Sequence, residues 1–462
     1  MKELAGIGFE LRKIFGKKTL LSGAWGVLYA SMTTIGPSIM FILLLFLVRF
    51  TMQFFYAGEM EITFFTASCT YIFLSAVLIA SFQNTVVSRY ISDKIFEKKE
   101  KDICASLFGV MTIGSVAAGI EATVFCVLMH SHDQVSLVFM AAYYLLTILG
   151  VNAYIIMNYV AALKEYKEVT LSYFVGIIIL LPAFLLFYKI AGWHLILSIF
   201  WALVCCFFVI NLLLVYWCVK AFGMPSNHYF EFLRYFVKYP RLWISGFAYM
   251  LGFYISNIIY WMFSDMQVSV SVFRVAPNYD LAMFLAMLVN LSGLVVFEVK
   301  TETMFYEKYV AYLSAIKNGT YDLIEKERVS MQNTINLQLF FVYEVQLIIT
   351  IILICLVNIF YPYLGISNQI LNLFMLLGMG LYCTFCMYFT VIFLYYFEDY
   401  TSACVGPVIF LVIVGIGSVI CCRLGSPYYP IPLLAGAVAG WIVSFVLLRR
   451  RLKNLNAYLL CR

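Results

Sequence analysis

Two glutamates stand where a bilayer would exclude them: Glu121 within the apolar run 103–129 and Glu344 within the run 337–361. A carboxylate in hydrocarbon costs several kcal/mol unless it is protonated, paired or turned toward water, so both are candidates for ion coupling along a transport path. Other reactive groupings promise less. His130, His132, His194 and His228 lie at the ends of apolar runs, and only the first two are close together, so no zinc-type spacing arises. Cys383 and Cys386 have CxxC spacing without a second Cys or His pair, inside a run where a thiol acts as a small hydrophobe. The stretch FGKKT, Phe15 to Thr19, lacks the upstream glycine of a phosphate-binding loop. Glu59-Met60-Glu61 pairs two acids in the manner of a membrane glycosyltransferase, in a loop too short to build an acceptor site. No catalytic residue, metal site or cofactor is expected, and the chain reads as a non-enzyme.

The elements that position the two glutamates follow from composition. Of 462 residues 64% are hydrophobic and 12% charged, the mean hydropathy is +0.94, and soluble chains carry about 25% charged residues. A hydrocarbon core about 30 Å thick needs roughly 20 apolar residues in a helix. Twelve runs meet that length: 24–50, 62–88, 103–129, 135–160, 168–190, 195–219, 242–264, 280–298, 337–361, 369–396, 402–422 and 430–448. They lack the alternation of barrel strands, so the expected form is an all-α polytopic membrane protein, two six-helix bundles around a central cleft. With the N-terminus cytoplasmic, every Lys and Arg except Arg49, Lys189, Arg274 and Arg423 falls on the inner side. Both termini are therefore expected inside. The net charge of +6 fits anionic headgroups and calls for no nucleic acid.

The same layout divides the chain. Residues 1–23 read as a cytoplasmic interfacial segment whose Leu4, Ile7, Phe9, Leu11, Ile14 and Phe15 face the membrane. Residues 24–219 form the first bundle, 220–241 a cytoplasmic linker, 242–448 the second bundle with a cytoplasmic helical insert at 299–336, and 449–462 a basic tail. Each half starts and ends inside, as in transporters built from parallel repeats. Gly36-Pro37 in the first span and Gly246 and Gly252 in the seventh are candidate hinges. Tyr249, Phe253, Ser256, Asn257 and Tyr260 share one face of the seventh span, a mixed aromatic and polar surface that could meet a saccharide.

Four stretches carry a family resemblance: AGIGFELRK (Ala5 to Lys13), the Gly36-Pro37 step, SRYISDKIFEKK (Ser88 to Lys99) and FEVKTETMFYEKYVAYLSAIKNGTYDLIE (Phe297 to Glu325). Together they resemble the PelG family, transporters of the Pel exopolysaccharide within the multidrug/oligosaccharidyl-lipid/polysaccharide (MOP) flippase group. The resemblance implies export of a galactosamine-rich biofilm polymer made by a cytoplasmic glycosyltransferase, in a cell-membrane complex with further membrane subunits, one of which senses cyclic di-GMP. By motif match Glu10, Arg12, Arg89 and Asp93 become candidates for a cytoplasmic gate or a partner-docking site, and Arg89 and Asp93 stand four apart, where a helical ion pair can form. An ion-coupled small-molecule or multidrug antiporter of the same fold, or a noncatalytic scaffold of a synthase complex, are the alternative readings.

Overall fold

The computed structural model describes residues 47, 48, 50–55, 58–162, 166–363 and 365–460. The expectations at Glu10, Arg12, Gly36 and Pro37, and most of the first span, lie outside the described residues. Among the described residues each long apolar run becomes one helix, because in lipid only a helix satisfies every backbone group within its own segment. The helices are α1 (Glu59–Phe96), α2 (Glu100–Asp133), α3 (Leu137–Ala162), α4 (Tyr166–Leu185, continued by a π turn Leu186–Ile190), α5 (Leu195–Phe222), α6 (Leu233–Lys238) and α7 (Pro240–Phe263). After a hairpin of β1 (Val268–Val270) and β2 (Phe273–Val275) come α8 (Pro277–Asn318), α9 (Tyr321–Phe360), α10 (Asn368–Tyr396), α11 (Tyr400–Leu424), α12 (Ile431–Lys453) and α13 (Leu455–Leu460). Among the described residues eleven helices are long and apolar enough to cross a bilayer. They coincide in order with the second to twelfth expected spans.

The described chain forms two compact units. The first runs to Tyr254 and takes back the hairpin, Gln267–Val275; the second holds Ile255–Met266 and everything from Ala276 onward. In the first unit α3 is central, packed by α1, α2 and α5, and α4 lies on α5. In the second unit α12 packs on α10 and α11, and α8 on α9 and α10. Between lipid-embedded helices water supplies no driving force, so contact depends on close approach of small residues. The α11–α12 seam shows it: a Cβ on Gly406 would collide with Ser444 Oγ and lie 2.9 Å from the Gly440 carbonyl. At one end of that seam Asp399 caps α11 through Ser402 N–H (3.2 Å) and accepts from Arg451 in the last turn of α12 (2.5 Å).

Two features depart from a plain span list. The hairpin is the first: Val268 pairs with Val275 and Val270 with Phe273, and its Phe273 ring is fully buried in the first unit against Phe64, Tyr71, Phe125 and Tyr143, 5.1–5.9 Å between centroids. The Tyr71 hydroxyl donates to the Arg274 carbonyl at 2.8 Å, fixing the same strand. The second feature is length. α8 has 42 residues and α9 has 40, so the segment 299–336 is two continuous helical extensions joined at Gly319 and Thr320. Phe305 packs on Phe393, Tyr396 and Phe397 at the end of α10, and at 1.5 Å per residue the rest of α8 runs about 20 Å past that level. The extension is clamped from the C-terminus. Burial pushes the Tyr312 hydroxyl up to about 12, and it donates to Asn456 at 2.8 Å; Arg328 bonds Glu325 (2.5 Å) and the Leu452 carbonyl (2.9 Å).

Phe273→Ala removes the ring from its aromatic box and is expected to destabilise the first unit by about 3 kcal/mol, whereas Arg274→Ala, whose side chain is exposed, leaves stability unchanged. Thermal unfolding of the detergent-solubilised protein, followed by size exclusion, checks both.

Candidate functional site

In the first unit Glu121 is a half-buried carboxylate. Glu121 points from α2 toward α1, where the Ser75 hydroxyl bonds it, and no basic side chain pairs with it among the described residues. Tyr143 of α3, fully buried, lies within electrostatic reach of Glu121, and its hydroxyl has no hydrogen-bond partner among the described residues. That ring is one wall of the box that holds Phe273, so the carboxylate sits beneath the hairpin's anchoring point. A carboxylate answered by one hydroxyl, with an unengaged phenol nearby, can take up a proton or a small cation. Glu344 differs. It is exposed on the flank of α9 with no partner among the described residues, because the two helices turn different faces inward.

The second unit encloses a carboxylate that sequence reasoning passed over. Asp280, in the first turn of α8, accepts from Asn257 Nδ2 (2.7 Å), Trp261 Nε1 (2.9 and 3.0 Å) and the Ala276 N–H (3.2 Å). Its position at the edge of an apolar run gives it, in the sequence, the look of an interfacial residue. Deeper in the unit an uncharged network is closed: Gln346 Nε2 donates to Asn290 Oδ1 (3.1 Å) and Thr350 (3.0 Å), while Ser292 donates to Gln346 Oε1 (2.9 Å). The five residues expected to face a saccharide are all buried. Tyr249 and Phe253 belong to the first unit; in the second, Tyr260 stacks on Tyr429 at 4.3 Å and donates to its carbonyl at 2.9 Å, Ser256 accepts from Tyr279 at 3.0 Å, and Asn257 holds Asp280. α7 runs unbroken through Gly246 and the buried Gly252; a Cβ on Gly246 would collide with Thr85 Cγ2, so that glycine lets α7 lie against α1.

A third constellation gathers at the end of the first unit where α1 stops and α2 starts. Arg89 and Asp93 form the expected ion pair at 3.2 Å, and Tyr235 of α6 donates to Asp93 at 3.1 Å. Burial first, and Asp93 next, hold the Tyr235 hydroxyl well above its ordinary range, so it stays a donor. Next to Asp93 in the chain, the Lys94 ammonium is 4% exposed and meets Glu231 at 3.0 Å, Glu97 at 3.5 Å and Asp102 at 3.6 Å. Glu97, bonded by Lys99, titrates below the usual carboxylate range. Asp102 also accepts from Ser226 (2.6 Å) and contacts His228 Nδ1 (3.1 Å), and Tyr90 donates to Glu231 (3.1 Å). Asp102, His228 and Glu231 offer ligand atoms within 4.8 Å of one another, but Lys94 already supplies their cation. Of the two acids Glu59 and Glu61, Glu61 has a local role: it accepts from Gly58 N–H at 3.1 Å and caps α1.

Apolar helices of bilayer length, stacked through small residues, define a multi-pass membrane protein. Solved structures of similar fold include an outward-facing MATE-family multidrug transporter of the MOP superfamily (TM-score 0.59, 13% identity, 93% of this chain and 96% of that one). Others are a MOP superfamily transporter from Pyrococcus furiosus (0.60, 13%, 92% and 96%) and a MATE transporter in its bent conformation (0.60, 14%, 99% and 99%). No curated protein matches the sequence. The PelG family of exopolysaccharide exporters (EPS-E) matches residues 4–459, and the chain belongs to that family.

Lys94→Met strips three carboxylates of a shared cation and is expected to cost about 3 kcal/mol of stability. Adding Glu231→Gln should restore part of the loss, read as the coupling energy of a double-mutant cycle in thermal unfolding.

Proposed function

We propose that this chain exports a Pel-like, galactosamine-rich exopolysaccharide across the cytoplasmic membrane, receiving it from a cytoplasmic glycosyltransferase held with it in a synthase complex. The observation that carries the reading is the family match over residues 4–459. Both termini lie on the cytoplasmic side in this reading, supported by the distribution of Lys and Arg. The extensions of α8 and α9, rich in charge and reaching beyond α10, then stand in the cytoplasm where a polymerising partner works. The Arg89–Asp93 pair, bonded to α6, is on the same side and suits a gate or docking latch.

Energy enters at Glu121 in this reading. Its half-buried place beside Ser75 and Tyr143 supports proton or cation uptake, and the exposure of Glu344 argues against an equal share for that residue. An antiporter of small molecules would instead protect cells from cationic drugs with no polymer synthase present.

In a strain lacking its own exporter, Glu121→Gln is expected to lower secreted polymer roughly tenfold at unchanged membrane abundance, and Glu344→Gln to leave secretion near that of the unaltered protein. Equal secretion by Glu121→Gln and the unaltered chain removes the coupling role. Drug resistance conferred in synthase-free cells replaces the exporter reading with the antiporter.

A further inference from the structure

The segment between α5 and α7 has two unlike faces. One is fastened to the first unit: Phe232 is fully buried, Phe236 stacks on Phe82 at 5.7 Å, and Ser226, His228 and Glu231 engage Asp102 and Lys94. The fit against α2 is tight, since a Cβ on Gly109 would collide with the Tyr229 carbonyl. The other face carries Phe230, Leu233, Arg234, Val237 and Lys238, at helical spacing along the turn and α6. Phe230 is 51%, Leu233 42% and Val237 84% exposed, and Met224, 73% exposed, precedes them. Arg234 and Lys238 are exposed among them.

Large apolar side chains in a row on a soluble surface mark a contact with something else. Two further observations say what. The segment leaves α5 at a headgroup marker: Lys220 Nζ lies 4.6 Å from the Trp217 ring and 5.9 Å from that of Tyr216, the aromatic and cationic pairing found where a spanning helix meets the polar layer. It returns to the bilayer at Pro240, two residues after Lys238. It is therefore tethered at both ends to spanning helices, and its outward stripe alternates apolar with basic groups, matching acyl chains below and anionic headgroups around them.

We propose that Met224–Lys238 is a lipid-seated strap: its stripe lies in the headgroup layer of a leaflet containing acidic phospholipid, while Lys94 and Gly109 hold its other face to α1 and α2. Phe230, Leu233 and Val237 insert, and Arg234 and Lys238 bind phosphate oxygens.

The test uses the full-length chain reconstituted in vesicles of phosphatidylcholine, with or without phosphatidylglycerol, and carrying an environment-sensitive fluorescent amino acid in place of Val237. The expected result is emission quenched by bromine-labelled acyl chains and shielded from aqueous iodide, with the shielding strongest when phosphatidylglycerol is present. Arg234→Glu with Lys238→Glu, both exposed and so not needed for folding, should abolish the phosphatidylglycerol dependence and raise iodide quenching several-fold. Equal iodide quenching in both lipid mixtures overturns the proposal. So does shielding that appears only when a cytosolic extract is added, which would make the stripe a protein-docking surface. Unfolding of the variant is monitored by size exclusion, and Arg234→Gln with Lys238→Gln, which removes charge without reversing it, gives the same reading if the glutamate pair does not fold.

Discussion

A charge that cannot reach water has to be answered by the protein, and in this chain few charges are available to do it. Lys94 shows the consequence. Its ammonium is almost wholly enclosed and is shared among Glu97, Asp102 and Glu231, so the ends of α1 and α2 and the segment before α6 are held by one cation. Removing any carboxylate leaves two others, but removing the lysine leaves three anions in a confined space. The second unit uses the same device where Arg451 meets Asp399, joining the start of α11 to the end of α12. At both places the charged groups sit at helix ends, where desolvation is partial and a pair can hold without the full cost of burial in hydrocarbon.

Against that background the unpaired carboxylates stand out. Asp280 is surrounded by neutral donors that satisfy both of its oxygens, and the first turn of α8 adds the favourable end of a helix dipole. Glu121 has less support, a single serine. The two carboxylates thus differ in how many neighbouring donors answer them, four bonds at Asp280 against one at Glu121.

How far the sequence reaches depends on the range of the interaction. The apolar runs from 62 to 448 mark their helices because span length and hydropathy are local properties. Arg89 and Asp93, four residues apart, are equally legible. Lys94 is not, since Glu231 lies 137 residues away, and no local pattern links them. Glu121 and Glu344 look alike in sequence; a helix apolar on all sides carries no periodicity to say which face turns inward. The hairpin is concealed differently: Val268, Val270 and the serine between them alternate as a strand should, but eight residues between two long spans read as a connection. Helical spacing from Tyr249 to Tyr260 marks a stripe, while the partners of its later half, Tyr279 and Asp280 in the next helix and Tyr429, 169 residues away, make that half a packing seam.

The overhang of α8 has a mechanical consequence. Because one unbroken helix passes from Pro277 to Asn318, a rotation of its embedded portion is carried rigidly to the tip, as by a lever. A tilt of about 5° over the roughly 60 Å of helix axis moves that tip by about 5 Å, more than the reach of a hydrogen bond. Tyr312 ties α13 to this arm and Arg328 ties the end of α12 to its neighbour α9, so these late residues travel with it.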